Sequence, residues 1–223
     1  MAIARSARSA GWCALLAALL GSLACSGAKR TPMVQKPRSI VVAPADNHSV
    51  ELNASSVYRS TVAQPLAERG YYVFPVMLTD AVLLDLGIVD PGMAHELPAQ
   101  RYGELFGADA VLFVSIVDWS NRWILLDAQT TVGLEMQMFD TRTGTLIWER
   151  QVAATVATNG GGGNLIVAAI TAAVVYGLNE MSDTEHRPVA ALANQLAFWD
   201  TTYGLPTGHY REAAEKAKKA QHR

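Results

Sequence analysis

Cysteine is almost missing from this chain of 223 residues, which has only Cys13 and Cys25. Neither lies in the part expected to fold, so no disulfide framework holds it and stability must come from burial. Familiar reactive groupings are missing as well. No G-x-S-x-G elbow occurs, no cysteine nucleophile is left in the body, and His95-Glu96 lacks the second histidine of H-E-x-x-H. Basic residues are scarce between Ser39 and Gly208, where seven Lys and Arg face eighteen Asp and Glu, a net of minus eleven. Such an acidic body excludes nucleic acid as a partner, because phosphate binding needs a basic face. No apolar run reaches the ~20 residues needed to span hydrocarbon.

The amino terminus has a clear organisation. Arg5 and Arg8 precede the apolar run Ala10 to Leu20, and Gly21, Ser22 and Ala24 lead to Cys25. A charged start, a short apolar middle and a small-residue end describe an export signal over residues 1–24. The segment looks like a bacterial lipoprotein signal, whose mature chain begins at an acylated cysteine, here Cys25. Ser22 stands where such signals prefer Leu. Two or more acyl chains hold a protein firmly on a membrane, whereas one holds it marginally. Ser26 after the cysteine resembles the pattern of lipoproteins passed on to the outer membrane. Residues 25–38 read as a flexible tether with Lys29, Arg30, Lys36 and Arg38, residues 39–200 as one domain, and residues 201–223 as a basic tail. Tether and tail could touch anionic lipid headgroups or cell-wall polymer; solubility is the plainer account of their charge.

Within the domain, Ser39 to Pro44 and Tyr71 to Pro75 are short β-branched or aromatic runs closed by proline. Asp46 to Ser49 reads as a loop. Tyr58, Val62, Leu66 and Arg69 have helical spacing, with Asn53, Ser55 or Ser56 as caps and Gly70 as terminator. Pro65 implies either a kink or a helix whose main segment starts near Gln64, since an interior proline costs about 3 kcal/mol. A helix capped by Thr79 follows to Leu86, then a loop over 87–97 holding Asp90-Pro91-Gly92, then a helix from Pro98 to Phe106 with Gly107 past its end. Ala110 to Val117 is apolar at nearly every position and reads as a central strand covered on both faces. From Val132 to Met138 apolar and polar residues alternate, Asp140 to Gly144 supplies a turn, and alternation resumes through Leu146, Trp148, Val152, Ala154 and Val156. Trp123 to Leu126 adds a fourth strand. The fold class is α/β, a mixed sheet of parallel crossovers plus an antiparallel hairpin, with carboxy-terminal helices after it.

Most polar candidates for chemistry have plainer readings. Gly160 to Gly163 precede a helical pattern but lack the Lys-Ser or Lys-Thr of a phosphate loop, so they read as a hinge. Asp183, Glu185 and His186 read as a solvated helix start, and Asp80, Asp85 and Asp90 are spaced around a helix and a loop rather than paired. We expect no cofactor, no metal and no catalysis. Two segments stand out for recognition. Trp119-Ser120-Asn121-Arg122-Trp123 reads as a polar break between two large rings, with Trp119, Asn121, Arg122 and Trp123 as a candidate recognition loop. Tyr71 could share that surface, while Tyr72 and Trp148 read as core. Leu165 to Leu178 is apolar on all sides, so Leu165, Ile166, Ala169, Ile170, Ala173 and Val174 form a candidate interface helix, buried either in this domain or against another chain. A chain ended after Thr158 would be a soluble monomer if that segment is an interface, and would aggregate if it is core. Pro188 to Trp199 is an ordinary amphipathic helix.

Several stretches together carry a family resemblance: Lys36 to Pro44, Pro65 to Pro75, Phe106-Gly107-Ala108-Asp109-Ala110, and Asp140-Thr141-Arg142-Thr143-Gly144 with Trp148-Glu149. Over about Lys36 to Leu196 the chain resembles the GNA-type lipoprotein family of unknown function. The resemblance implies a fold similar to the amino-terminal domain of TolB, outer-membrane attachment, dimers, a partnership with envelope proteins such as CsgG-like lipoproteins, and no catalytic residues. The expected function is a lipid-anchored adaptor or accessory subunit in envelope transport or assembly. The alternative is a cell-wall or small-ligand binding module, or an activator of a peptidoglycan synthase, with an enzyme third.

Overall fold

The structure is a computed structural model that describes residues 36–124, 127–158 and 186–221. All elements below lie in the compact unit from Thr31 to Arg223. They are β1 (Ser39–Val42), β2 (Asp46–Asn47), α1 (Ala54–Glu68), β3 (Tyr72–Val73), α2 (Val76–Asp85), α3 (Pro91–Glu96), α4 (Ala99–Phe106), β4 (Ala110–Ile124), β5 (Asp127–Asp140), β6 (Leu146–Thr158), α5 (His186–Trp199) and α6 (His209–Gln221). The strands form one mixed sheet in the order β3-β1-β4-β5-β6, with β2 paired to β4. β1 is parallel to β3 and β4, and β4, β5 and β6 are antiparallel. The expected α/β class therefore holds.

β1 sits between β3 and β4 and buries both faces, which is why its sequence is continuously apolar. Ile40 and Val42 join one core with Tyr58, Val62 and Leu66 of α1 and Val189, Leu192 and Phe198 of α5. Val41 and Ala43 turn the other way, onto Leu83, Ala94 and Tyr102 from the α2, α3 and α4 side. β5 has one dry face, Val132, Leu134, Met136 and Met138, all at 1% exposure or less. Glu135 and Gln137 are exposed between them.

Several boundaries differ from the sequence reading. Asp46–Asn47 is not only loop: it bridges Ser115 and Ile116 of β4 in parallel, extending the line of β1 past Pro44. α1 runs unbroken through Pro65 from Ala54, so no main segment starts at Gln64. Ala54, Tyr58, Thr61 and Val62 bury ahead of the proline, and that packing outweighs one lost backbone bond. Thr79 does not cap α2; it is buried in the helix, which starts at Val76 after Pro75. Asp90-Pro91-Gly92 opens α3 instead of a loop, with the Asp90 side chain accepting from Gly92 N at 2.8 Å. The basic tail, for which the sequence predicts no element, forms α6 over His209–Gln221. Gly70 and Gly107 end their helices with φ of 98° and 67°, as expected of terminators.

Candidate docking surface

The expected recognition loop is a strand. β4 continues through Trp119, Ser120, Asn121, Arg122 and Trp123, in register with β5 to Ile124↔Asp127. The apparent polar break comes from a bulge between Ile116 and Asp118, where Val117 is the extra residue. Before it the even positions Ala110, Leu112, Val114 and Ile116 face the α1–α5 core; after it the phase shifts by one, which sends Trp119 inward at 4% exposure. Gly133 opposite makes room, since a Cβ there would lie 3.0 Å from the Asp118 Cβ and 3.2 Å from Val117 Cγ2. Asn121 accepts from Thr130 Oγ1 across the ladder at 2.8 Å, and Arg122 is exposed. Tyr71 and Tyr72 exchange their expected places. Tyr71 is buried and donates to Pro206 O at 2.8 Å, while Tyr72, on the edge strand β3, is 48% exposed. Trp148 is core as expected. Cys25 and the residues Leu165, Ile166, Ala169, Ile170, Ala173 and Val174 lie outside the described residues, as do Gly160 to Gly163.

The titratable groups serve the fold. The His95 ring bonds Pro44 O at 2.9 Å and meets Phe113 edge-on at 5.1 Å, and burial lowers its pKa. His186 stacks on Trp119 at 4.9 Å, and burial lowers its pKa as well. Asp80 is clamped by Arg59, tying α2 to α1. Arg150 and Asp200, each 9% exposed, pair at 3.2 Å and join β6 to the end of α5. Among the described residues no group of three His, Cys, Asp or Glu side chains could hold a metal ion.

What remains exposed and unusual is apolar. α2 reads Val-Met-Leu-Thr-Asp-Ala-Val-Leu-Leu-Asp, with only Thr79 and Leu83 buried. Met77, Ala81 and Leu84 recur at helical spacing on an outward face, Met77 at 80% and Leu84 at 60% exposure. Leu86, Val89 and Met93 continue the exposed apolar run through α3. Scattered apolar residues on a surface are ordinary, but a run of large ones along one helix and its following turns is a candidate docking surface. Sequence reading missed it because α2 has no polar face to set off the outward side. A second unpartnered feature is β6, which among the described residues pairs only with β5 and leaves its outer backbone groups unladdered. A third is a groove of about 260 Å³ between α1 and α5, lined in part by Ser60, Thr61, Gln64, Glu68, Arg187 and Gln195.

A mixed sheet with helices on both faces and an antiparallel extension defines an α/β domain. The comparisons agree in class: residues 32–208 match the model of the family described as Putative lipoprotein GNA1162-like. The chain belongs to this lipoprotein family. It is 29% identical over 187 residues to Putative lipoprotein NMB1124/NMB1162 of Neisseria meningitidis serogroup B, covering 81% of this chain and 87% of that one. The crystal structure of lipoprotein GNA1162 from Neisseria meningitidis superposes with a TM-score of 0.52 at 29% identity, covering 57% of this chain and 88% of that one. The solution structure of LpoB from E. coli aligns at 18% identity and a TM-score of 0.42, over 55% of this chain and 59% of that one. That likeness is too distant to bear on function.

Proposed function

We propose that this protein is a non-catalytic adaptor or accessory subunit, acylated at Cys25 and held at the outer membrane, that grips another envelope protein in a transport or assembly machine. The observation that carries this reading is the exposed apolar run from Met77 through Leu84 to Met93 on α2 and α3. Water-exposed methionine and leucine side chains favour burial against a partner at roughly 25 cal/mol per Å² of apolar surface, and methionine adapts to irregular partner shapes. CsgG-like lipoproteins are one partner class, and a second copy of this chain is another. The test is site-specific photocrosslinking from Leu84 in intact cells. An adduct with an envelope protein, or a self-adduct, that Met77→Glu abolishes without loss of membrane attachment supports the reading; no adduct at Leu84 above that at exposed Arg122 would refute it.

The groove between α1 and α5 favours a second reading, a cell-wall or small-ligand module, because hydroxyl, amide, carboxylate and guanidinium groups converge there. A rise in Tm of the full chain with muropeptide fragments, abolished by Gln195→Ala, would favour it over the adaptor.

A further inference from the structure

The helix α6 lies past the family match, which ends at residue 208, and no residue of it is buried. A helix of this length, 13 residues, is marginal in water without packing, so a surface that takes it up would stabilise it. Its placement is informative. Gly208 N donates to Arg69 O at 2.8 Å, Tyr210 N donates to Gly70 O at 3.1 Å, and Glu212 pairs with Lys36. The start of α6 thus lies beside Lys36, near the end of the tether from Cys25.

The charges on α6 are sorted as well. Its two acidic residues are both engaged, Glu212 by Lys36 and Glu215 by Arg211 at 3.2 Å. The Arg211 guanidinium also lies 4.9 Å over the Trp199 ring. Lys216, Lys218 and Lys219 have no ion pair among the described residues, and Glu212, the carboxylate that Lys216 influences, is already held by Lys36. The outer turns therefore present lysines, on a chain whose segment from Ser39 to Gly208 carries a net charge of minus eleven.

We propose that α6 is an electrostatic footing on anionic phospholipid headgroups, seating the tether end of the domain on the bilayer. The inference adds orientation to the anchoring reading: from Cys25 to Lys36 the chain spans at most about 40 Å at ~3.6 Å per residue, so an acylated chain keeps α6 within reach of the headgroups. Lysines are drawn to a negative leaflet over about a Debye length, and salt weakens the attraction. The alanine side of the helix, Ala213, Ala217 and Ala220, is too small to insert deeply, so the contact is mainly ionic.

The experiment uses the full acylated chain with Ala217→Cys carrying a fluorophore, added to phosphatidylcholine vesicles with or without about one quarter phosphatidylglycerol, which supplies the negative surface. The expected result is at least about a threefold drop in quenching by an aqueous quencher on the anionic vesicles, reversed near 0.5 M salt and in the Lys216→Gln, Lys218→Gln, Lys219→Gln variant. The three substituted residues are exposed, so the variant keeps its Tm. Equal quenching on both vesicles overturns the proposal, and so does shielding by isolated cell wall in place of vesicles. Flotation with phosphatidylcholine vesicles reads the acyl anchor alone. Should that fail, flotation with the anionic vesicles that the triple variant loses still supports the footing, and its absence overturns it.

Discussion

Asp140 shows how the residues behind the family resemblance act. Its carboxylate accepts from Thr143 N at 2.9 Å, Arg142 N at 3.0 Å and Thr143 Oγ1 at 3.1 Å, closing the turn between β5 and β6. Burial alone would raise its pKa, but these bonds outweigh burial and hold it below the usual carboxylate range. Asp109 does similar work, accepting from Arg38 N at 2.8 Å and Ser39 N at 3.3 Å to fix the start of β1. The motif residues specify turns and strand starts, which is why they identify the fold. Asp140→Ala should lower stability by about 1–3 kcal/mol, the cost of freeing donors around a charged acceptor, as a lower urea midpoint at pH 7. The sign with pH follows from the depressed pKa. The Asp140 contribution is complete above the unfolded value of 3.8 and is lost as pH falls through the folded one. Asp140→Asn should remove that loss. The histidines act in a higher window. His95 and His186 have lowered pKa values, so the unfolded chain takes up their protons first and stability should begin to fall as pH drops below about 6.5. His95→Gln should flatten part of that fall in denaturation curves taken from pH 8 to 5; an unchanged slope would count against a half-buried His95 held neutral.

At the scale of elements, the bulge in β4 decides where a ring goes. Trp119 packs into the α1–α5 core, so Trp119→Ala should cost about 3–5 kcal/mol, while Arg122→Ala on the exposed face should fall within about 0.5 kcal/mol of zero. Gly133→Val should destabilise by crowding Val117 and Asp118. Urea titration of the three variants checks this, and near-equal effects of Trp119→Ala and Arg122→Ala would return the segment to a loop. The same bulge explains what the sequence could and could not tell. Alternation in β5 was legible because exposed Glu135 and Gln137 fall between buried Leu134, Met136 and Met138. In β4 one extra residue shifts the phase, and a strand then looks like two fragments with a polar break. Prolines caused the other misreadings. Asp90-Pro91-Gly92 fits a turn and a helix start equally, and only the packing of Ala94 and the bond to the Asp90 side chain choose the helix. α6 lacked an apolar stripe, so periodicity gave no sign of it. The exposed apolar run on α2 escaped notice for a related reason: it looks like a core helix in sequence, and aromatic residues drew attention to β4.

For the whole molecule, α5 closes the larger core over strands that come before it in the chain. Val189, Leu192, Ala193 and Phe198 join Val132, Leu134, Met136, Trp148 and Val152 in one cluster. A buried polar chain fastens α5 to α1, with Tyr58 Oη donating to Asn194 Oδ1 at 3.0 Å and Asn194 Nδ2 to Thr61 Oγ1 at 3.0 Å. These pairs are separated by 136 and 133 positions, so a large loop must close before they form. A chain ended after Thr158 loses α5 together with the apolar stretch from Leu165 to Leu178. It therefore cannot tell whether that stretch is core or interface, because uncovering the dry face of β5 and β6 is enough to cause association. Such a chain should aggregate during gel filtration. Asn194→Ala in the full chain is the finer probe, since it leaves the fully buried Tyr58 hydroxyl without its acceptor but keeps every apolar contact of α5. The expected loss is about 1–3 kcal/mol, read as a lower Tm with the monomer retained, and Tyr58→Phe combined with it should restore part of the loss by removing the stranded donor. If the double variant proves as unstable as the sum of the two single ones, the two residues act independently and the polar chain does not fasten α5 to α1.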